Sequence, residues 1–416
     1  MSTPRPFTDN GADTLQDVPR SEEARNVMGE GTFTIKQEKR ATTRKRTGLD
    51  AMVRAYAKYN VSLPPQLKVA MKHADEVTAR KRGSMWGTTS ATPPGGYDYE
   101  YVSPVKVGTP AQTINMDIDT GSADFWLFYS KTPSIYQGGQ TLYYPEKSST
   151  SKKLTDSRWS IGYGDGSGAS GVVYTDRVVV GNTYLNGMYV ECATYVSSSF
   201  TNDAYSSGLF GLGLGGNTVK PTAQGTYAQK IQSSLAAPLF TANLKNGAAG
   251  NYNFGYIATF EFQGRIQYSY VDKSSIYWKF VATGYRIGTS TATYTTLPYT
   301  AIADTGTTLL LLPDSIVQAY WSKVAGAAYD SSWAAILFPC SRTLPDFTFG
   351  IGTYRGVIPG RYMNYGQVNS STCYGGIQSQ GTIGFSIFGD IALKAQFVVF
   401  DLGNRRVGFA NKKLTT

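Results

Sequence analysis

The pattern of apolar and polar positions changes character once along the chain, near Tyr97. Before it, Leu49, Met52, Val53 and Tyr56 recur at i, i+3, i+4 and i+7 with Asp50 near the start, which predicts an amphipathic helix. Pro64 and Pro65 interrupt that run, and Leu67, Ala70, Met71 and Ala74 predict a second helix opening there. A short extended piece, Thr32 to Lys36, precedes both, and residues 1–30 are polar throughout, which predicts disorder. After Tyr97 strand and turn patterns take over: YEYVSPVKVG, TINMDID, GVVYTDRVVVG and FVVFDLGNRRVGFA read as strands. Gly, Ser, Thr and Tyr are abundant and charge is sparse, so the body is expected to be all-β.

Composition then narrows the chemistry. No apolar run approaches the roughly 18 to 20 residues that span a bilayer, and a soluble protein with no membrane partner is expected. The net charge of +10 is uneven. Residues 1–90 hold 16 Lys and Arg against 10 Asp and Glu, leaving 23 against 19 for the rest, with no basic stripe interleaved with aromatics. Nucleic acid is therefore not an expected partner. The one His, His73, lies in the basic segment, so a Ser–His or Cys–His pair and the usual His-containing zinc site are unexpected in the body. No metal and no cofactor is predicted. If the body is a hydrolase, carboxylates must move the protons.

The triplet Asp-Thr-Gly occurs at Asp119 and again 185 residues later at Asp304, each time after an apolar, strand-like run. Asp then sits where strand becomes turn, Gly permits the tight backbone, and Thr can lock the turn. Leu209-Phe210-Gly211 follows the first copy by 90 residues and Ile387-Phe388-Gly389 the second by 83, which suggests two homologous lobes with a boundary near residue 260. Two such turns meeting across a pseudo-two-fold axis would bring two carboxyls together. Like charges that close cannot both ionise, so one can act as base on a water and the other as acid. Asp117 and Asp124 have no acidic counterparts around Asp304 and are expected to be structural.

These motifs resemble the pepsin-like aspartic endopeptidases, and among them the fungal secreted group typified by penicillopepsin and aspergillopepsin. The resemblance rests on DTGSADFW, IGYGDGSGASG, GLFGLGLG, IADTGTTLLLLP, CYGGIQ, GFSIFGD and VVFD, and runs from about residue 97 to the end of the sequence, with a weaker match from about Gly31. It implies a bilobal all-β pepsin-like fold with pseudo-two-fold lobes and a largely helical N-terminal pro-segment. The expected division is 1–30 disordered, 31–90 inhibitory pro-segment, 91–260 N-terminal lobe and 261–416 C-terminal lobe. The resemblance makes Asp119 and Asp304 catalytic and assigns substrate contacts to Gly121, Gly306, Thr307, Thr308 and the flap residues Tyr163 and Gly164. Ser122 and Thr307 would hydrogen-bond the outer carboxyl oxygens, and Trp126 would hydrogen-bond Tyr163. Asp165 matches the flap acid that admits Lys or Arg at P1 beside large apolar side chains; its other reading is a turn-forming Asp in a Gly-rich hairpin.

The implied partners are protein and peptide substrates and the chain's own pro-segment, acting on a monomer. Basic groups of that segment would pair with body carboxylates at neutral pH, depress their pKa values and release them in acid. Lys81-Arg82 could instead be cut by a separate protease. Of three cysteines, Cys340 and Cys373 are the better disulfide pair, both lying in the C-terminal quarter; three reduced thiols remain the alternative. No secretory signal is visible, although the resemblance implies secretion, or an acidic vacuole. Asn60 and Asn369 open glycosylation sequons. Gly211, Gly213 and Gly216 satisfy a dinucleotide fingerprint without the helix or distant acid it needs. A pepsin-like binding module without turnover is the competing functional class.

Overall fold

A computed structural model describes residues 32–36, 47–72, 101–162 and 168–415. The expectations for residues 1–30, for Lys81-Arg82 and for Tyr163, Gly164 and Asp165 lie outside these residues.

The first helix, Gly48–Lys58, starts where local chemistry says it should. Thr47 Oγ1 accepts from the Asp50 amide at 3.1 Å while Asp50 Oδ2 accepts from the Thr47 amide at 2.8 Å, a reciprocal cap. Its burial is wider than an amphipathic stripe. Leu49, Ala51, Met52, Val53, Ala55, Tyr56 and Ala57 are all buried; Asp50 is exposed, and Arg54 and Lys58, at four-residue intervals on the same face, are half-buried. The helix is wedged into the body rather than laid on it. Residues 65–72 are also helical, with Leu67 and Ala70 buried.

The body is dominated by strands. One seven-stranded sheet contains Val102–Val107, Gln112–Asp119, Gly208–Gly211, Phe125–Leu127, Thr183–Val196, Gly168–Val180 and Lys152–Gly162, in that order. A second contains Tyr354–Ile358, Phe347–Ile351, Lys279–Ile287, Thr295–Ala303, Ser386–Phe388, Leu310–Leu312 and Ile377–Ser379. The two halves thus build one seven-stranded sheet each and share a third sheet, and the second half adds a four-stranded sheet of Ala328–Asp330, Ala335–Pro339, Thr372–Gly375 and Asn364–Gln367. In the shared six-stranded sheet, Leu239–Lys245 pairs with Gln396–Asp401, so the C-terminal hairpin ending at Asn411 closes onto strands from the first half. Its edge is Phe33–Lys36, whose Phe33 ring stacks on Phe254 at 4.5 Å.

Cys340 and Cys373 are bridged, closing a loop of separation 33 between adjacent strands. On the chain-entropy account such a bridge contributes about 3–4 kcal/mol. Cys192 is a buried free thiol whose pKa burial pushes well up. The Gly211–Gly216 run passes into turns instead of opening a helix.

Candidate active site

The two Asp-Thr-Gly turns occupy equivalent places in the two seven-stranded sheets. Gln112–Asp119 runs parallel to Gly208–Gly211, with Ile118 opposite Phe210 and Asp119 opposite Gly211. Thr295–Ala303 runs parallel to Ser386–Phe388, with Ile302 opposite Ile387. The apolar pair before each distant glycine is therefore the strand beside its own Asp-Thr-Gly. Each Asp stands where that paired backbone ends.

The threonines do not lock their own turns, as the sequence suggested. Thr120 Oγ1 donates to the Ala303 carbonyl at 2.9 Å, and Thr305 Oγ1 donates to the Ile118 carbonyl at 2.6 Å. Each threonine amide in turn donates to the other's hydroxyl, at 3.2 and 3.0 Å. These fully buried bonds tie one turn to the other across 185 residues of sequence. The glycines allow the approach. A Cβ on Gly121 would lie 2.5 Å from Asp304 Oδ1, and one on Gly306 would lie 2.6 Å from Asp119 Oδ1.

The carboxyls so positioned are fully buried and similarly dressed. Asp119 accepts from the Gly121 amide at 2.8 Å and from Ser122 Oγ at 2.5 Å. Asp304 accepts from the Gly306 amide at 3.0 Å and from Thr307 Oγ1 at 2.5 Å. Ser122 and Thr307 thus make the contacts expected of them. Thr308 is buried beside the second turn, its carbonyl accepting from the Ile391 amide at 3.0 Å.

The last turn of the first helix seals this pair. Lys58 Nζ lies 2.6 Å from Asp119 Oδ1 and 2.6 Å from Asp304 Oδ1, and the Tyr59 hydroxyl donates to Asp304 Oδ2. Burial alone would lower the Lys58 pKa, but the two carboxyls overcome it and raise it. Burial raises both carboxyls. For Asp119 it prevails over Lys58, helped by the neighbouring Asp304, and the pKa rises; for Asp304 the contacts from Lys58, Thr307 and Tyr59 prevail and the pKa falls. The depressed pKa values expected of carboxylates paired with the N-terminal segment hold for Asp304 and not for Asp119.

Trp126 is buried, stacked at 5.9 Å on Trp159, and its Nε1 has no hydrogen-bond partner among the described residues. Asp124 accepts from the Thr218 amide and hydroxyl, both at 2.7 Å, in keeping with a structural part. Sequence reading missed Lys58 and Tyr59; the available signal was the polar spacing Asp50, Arg54, Lys58 on an otherwise apolar helix. It also missed Glu191, fully buried opposite Trp126, where Asn217 donates to it at 2.8 Å.

Comparison with known proteins agrees with this geometry. Residues 100–412 match the family model described as eukaryotic aspartyl protease. The chain is 45% identical over 403 residues to endothiapepsin of Cryphonectria parasitica, covering 96% of this chain and 95% of that one. It is 45% identical over 360 residues to aspergillopepsin-1 of Aspergillus oryzae, covering 86% and 87% of the two chains. It is 44% identical over 384 residues to penicillopepsin-2 of Penicillium janthinellum, covering 91% and 92%. The crystal structure of aspartic proteinase from Irpex lacteus superposes with a TM-score of 0.62 at 25% identity, covering 76% of this chain and 96% of that one. The bilobal, strand-dominated body has the pepsin-like fold, and the chain belongs to the eukaryotic aspartyl proteases, the aspartic-type peptide hydrolases.

Proposed function

We propose that the chain is an endopeptidase zymogen in which Asp119 and Asp304 hydrolyse peptide bonds through a shared water once the N-terminal segment has left. The observation that carries this reading is the position of Lys58 Nζ, 2.6 Å from the inner oxygens of both carboxyls. That ammonium stands in for the water. With the segment removed, two buried carboxyls tied together by Thr120 and Thr305 share one proton. The ionised member takes a proton from the water as its oxygen bonds to the substrate carbonyl carbon, while the protonated member supports the developing oxyanion. Collapse of the tetrahedral species breaks the C–N bond, the amine nitrogen takes a proton, and the products are a carboxylic acid and an amine.

Residues 31–90 are the inhibitory pro-segment in this reading, followed by lobes at 91–260 and 261–416. What supports inhibition is the burial of the first helix, which covers the carboxyls that a substrate must reach. Gly121, Gly306, Thr307 and Thr308 flank the place of the scissile bond. The flap residues Tyr163 and Gly164 would close over substrate, with Trp126 Nε1 as a donor for Tyr163. Large apolar side chains are the proposed P1 residues, with Lys or Arg admitted by Asp165. The enzyme acts as a monomer, in acid, outside the cell or in an acidic vacuole, on protein and peptide substrates and without a cofactor.

The test is to shift the full-length chain from pH 7 to about pH 4, following intact mass and cleavage of an unfolded protein together, with Asp119→Asn as control. Loss of roughly 80 to 95 N-terminal residues with substrate cleavage, both absent in the variant, is the expected result. A wild-type chain that is freed of its segment by another protease and still cuts nothing across the acid range supports the binding module instead.

A further inference from the structure

Trp278 stands just before the strand Lys279–Ile287 and is fully buried. Its ring packs edge-on against Phe240 at 5.9 Å and Phe400 at 5.2 Å, both in the shared sheet. Its carbonyl accepts from the Ala303 amide at 3.1 Å, one residue before Asp304. Its indole Nε1 reaches into the first half and donates to the Leu212 carbonyl at 2.9 Å. Leu212 in turn supports the first turn: its amide donates to the Asp119 carbonyl at 2.7 Å, and the Gly213 amide donates to the Ser122 carbonyl at 2.7 Å. One residue further on, the Leu214 amide donates to the Ile276 carbonyl at 3.0 Å. Residues 212–214 are therefore bonded on one side to the Asp119 turn and on the other to residues 276–278 of the second half.

The arrangement has no mirror image. Val102 pairs with Asp117 and Lys279 with Ile302, two residues before Asp119 and Asp304, so Tyr101 is the counterpart of Trp278. Tyr101 is also buried, but its hydroxyl donates to the Lys245 carbonyl at 2.8 Å, within the first half. Behind the second turn the chain closes on its own lobe: the Asp390 and Ile391 amides donate to the carbonyls of Thr307 and Thr308 at 2.8 and 3.0 Å as the helix Asp390–Leu393 begins. The first turn is followed by loop rather than helix after Gly211, and leans on the other half of the molecule.

We propose that Trp278 is a positioning residue for peptide hydrolysis, its N–H and its carbonyl joining the backbones of the two carboxyl-bearing turns and fixing the spacing of Asp119 and Asp304. This rests on the endopeptidase reading and adds to it a tie separate from the Thr120 and Thr305 contacts. Spacing matters because two carboxyls share one proton only while they are close. Their repulsion spreads the two protonation steps and leaves a pH range in which one is ionised and the other is not. Slackening the tie narrows that range from both sides and moves acid and base away from the geometry that the attacking water requires.

The test compares Trp278→Phe, which keeps a ring against Phe240 and Phe400 and removes the N–H, with Tyr101→Phe, which removes the counterpart's donor. Each full-length chain is activated in acid, and kcat and KM on one synthetic peptide are measured across pH, with Tm recorded alongside. Trp278→Phe is expected to lose about tenfold in kcat, short of the roughly 10²-fold that a misplacement of about 1 Å can cost, because Thr120 and Thr305 remain. Its KM stays within about twofold, and its pH–kcat profile narrows at both limbs. Tyr101→Phe is expected to keep kcat within about twofold and the wild-type profile width. Wild-type kcat and profile width in Trp278→Phe overturn the proposal, whatever the Tm, as does an equal loss in the two variants. If Trp278→Phe does not fold, a chain carrying benzothienylalanine at this position, where sulfur replaces the N–H and ring size is kept, is read by the same criteria. An activated wild type that cuts no peptide defeats the endopeptidase reading and this proposal with it, whereas an active wild type matched by Trp278→Phe defeats this proposal alone.

Discussion

The two Asp-Thr-Gly turns share a backbone and differ in what lies behind them. Five residues after Asp119 stands Asp124, and five after Asp304 stands Leu309, fully buried. Behind the first turn Trp126 pairs with Glu191 on the neighbouring strand, and behind the second Leu311, at the same distance from its Asp, pairs with Gln378. Gln378 is satisfied as a neutral amide, accepting from the Ile336 amide at 2.9 Å and donating to the carbonyls of Ile336 and Gly375 at 3.0 and 2.8 Å. Glu191 is a buried acid: burial, then the charge and hydrogen bond of Asp124, hold its pKa well above the usual carboxylate range. One lobe thus places a buried acid, Glu191, where the other places a neutral amide, Gln378. The carboxyl ends of the two turns match in geometry, while what lies behind them differs in charge.

The strongest way to break the comparison is to remove either carboxyl. Asp119→Asn and Asp304→Asn should each abolish peptide cleavage by on the order of 10⁴-fold or more, because members of one catalytic unit fail together. A variant that keeps near wild-type kcat on a synthetic peptide would show that the two turns are not one site.

Next come the glycines. Gly121→Ala places a methyl against Asp304, and Gly306→Ala places one against Asp119, so each damages the opposite lobe's carboxyl. Steady-state kinetics should show losses of about 10²-fold in kcat for both, as for small misplacements of reacting groups. A large loss for one and none for the other would end the claim of equivalence.

A smaller effect separates the outer oxygens. Thr307→Ala removes a donor that helps lower the Asp304 pKa, so that pKa rises; Ser122→Ala removes one that opposes the rise at Asp119, so that pKa rises further. Both variants should lose activity by about tenfold, the lower end for one charged hydrogen bond, and shift the pH–rate profile upward. An unmoved profile would assign these hydroxyls a role in packing alone.

The smallest effect reads the foundations. A group whose folded pKa is raised stabilises the fold below its unfolded pKa, and that contribution is lost as pH rises through the folded value. Glu191 should therefore weaken the first lobe increasingly from about pH 4.3, the ordinary glutamate value, upward. Glu191→Gln copies the second lobe, and thermal unfolding should show Tm raised by about 2 °C or more at pH 7 and little change at pH 3.5. A lower Tm at pH 7 would mean that the charged form is the stabilising one.

Much of the site was legible before any coordinates, and for local reasons. An Asp-Thr-Gly after an apolar run reads as strand-to-turn because side-chain types alone specify it, and the doubled motif singled out Asp119 and Asp304 over Asp117 and Asp124. The helix from Leu49 was legible from its period. What was not legible depends on contacts distant in sequence. Asp50, Arg54 and Lys58 look like a solvated face, and only the packing of Leu49, Met52 and Tyr56 into the body turns that face onto Asp203 and the two carboxyls. Thr120 looks like a turn-locking residue because its true acceptor, the Ala303 carbonyl, is 183 residues away. Glu191 is one polar position in a long strand, and nothing nearby marks it as the partner of Asp124.

The most direct test of the central claim, that Lys58 holds two cooperating carboxyls off until acid releases it, is the pH profile of N-terminal processing in wild type and Lys58→Met. Buried pairs are costly to break from one side, about 3–5 kcal/mol, so the variant should fold with a weakened seal. As pH falls in the wild type, the carboxyl pair takes up protons and its ion pairs with Lys58 are lost, so the seal loosens. Intact mass recorded at stepped pH should show the variant losing its N-terminal segment at a clearly higher pH than wild type, with Asp119→Asn in the same background losing none. Superimposable profiles for wild type and Lys58→Met would contradict the account.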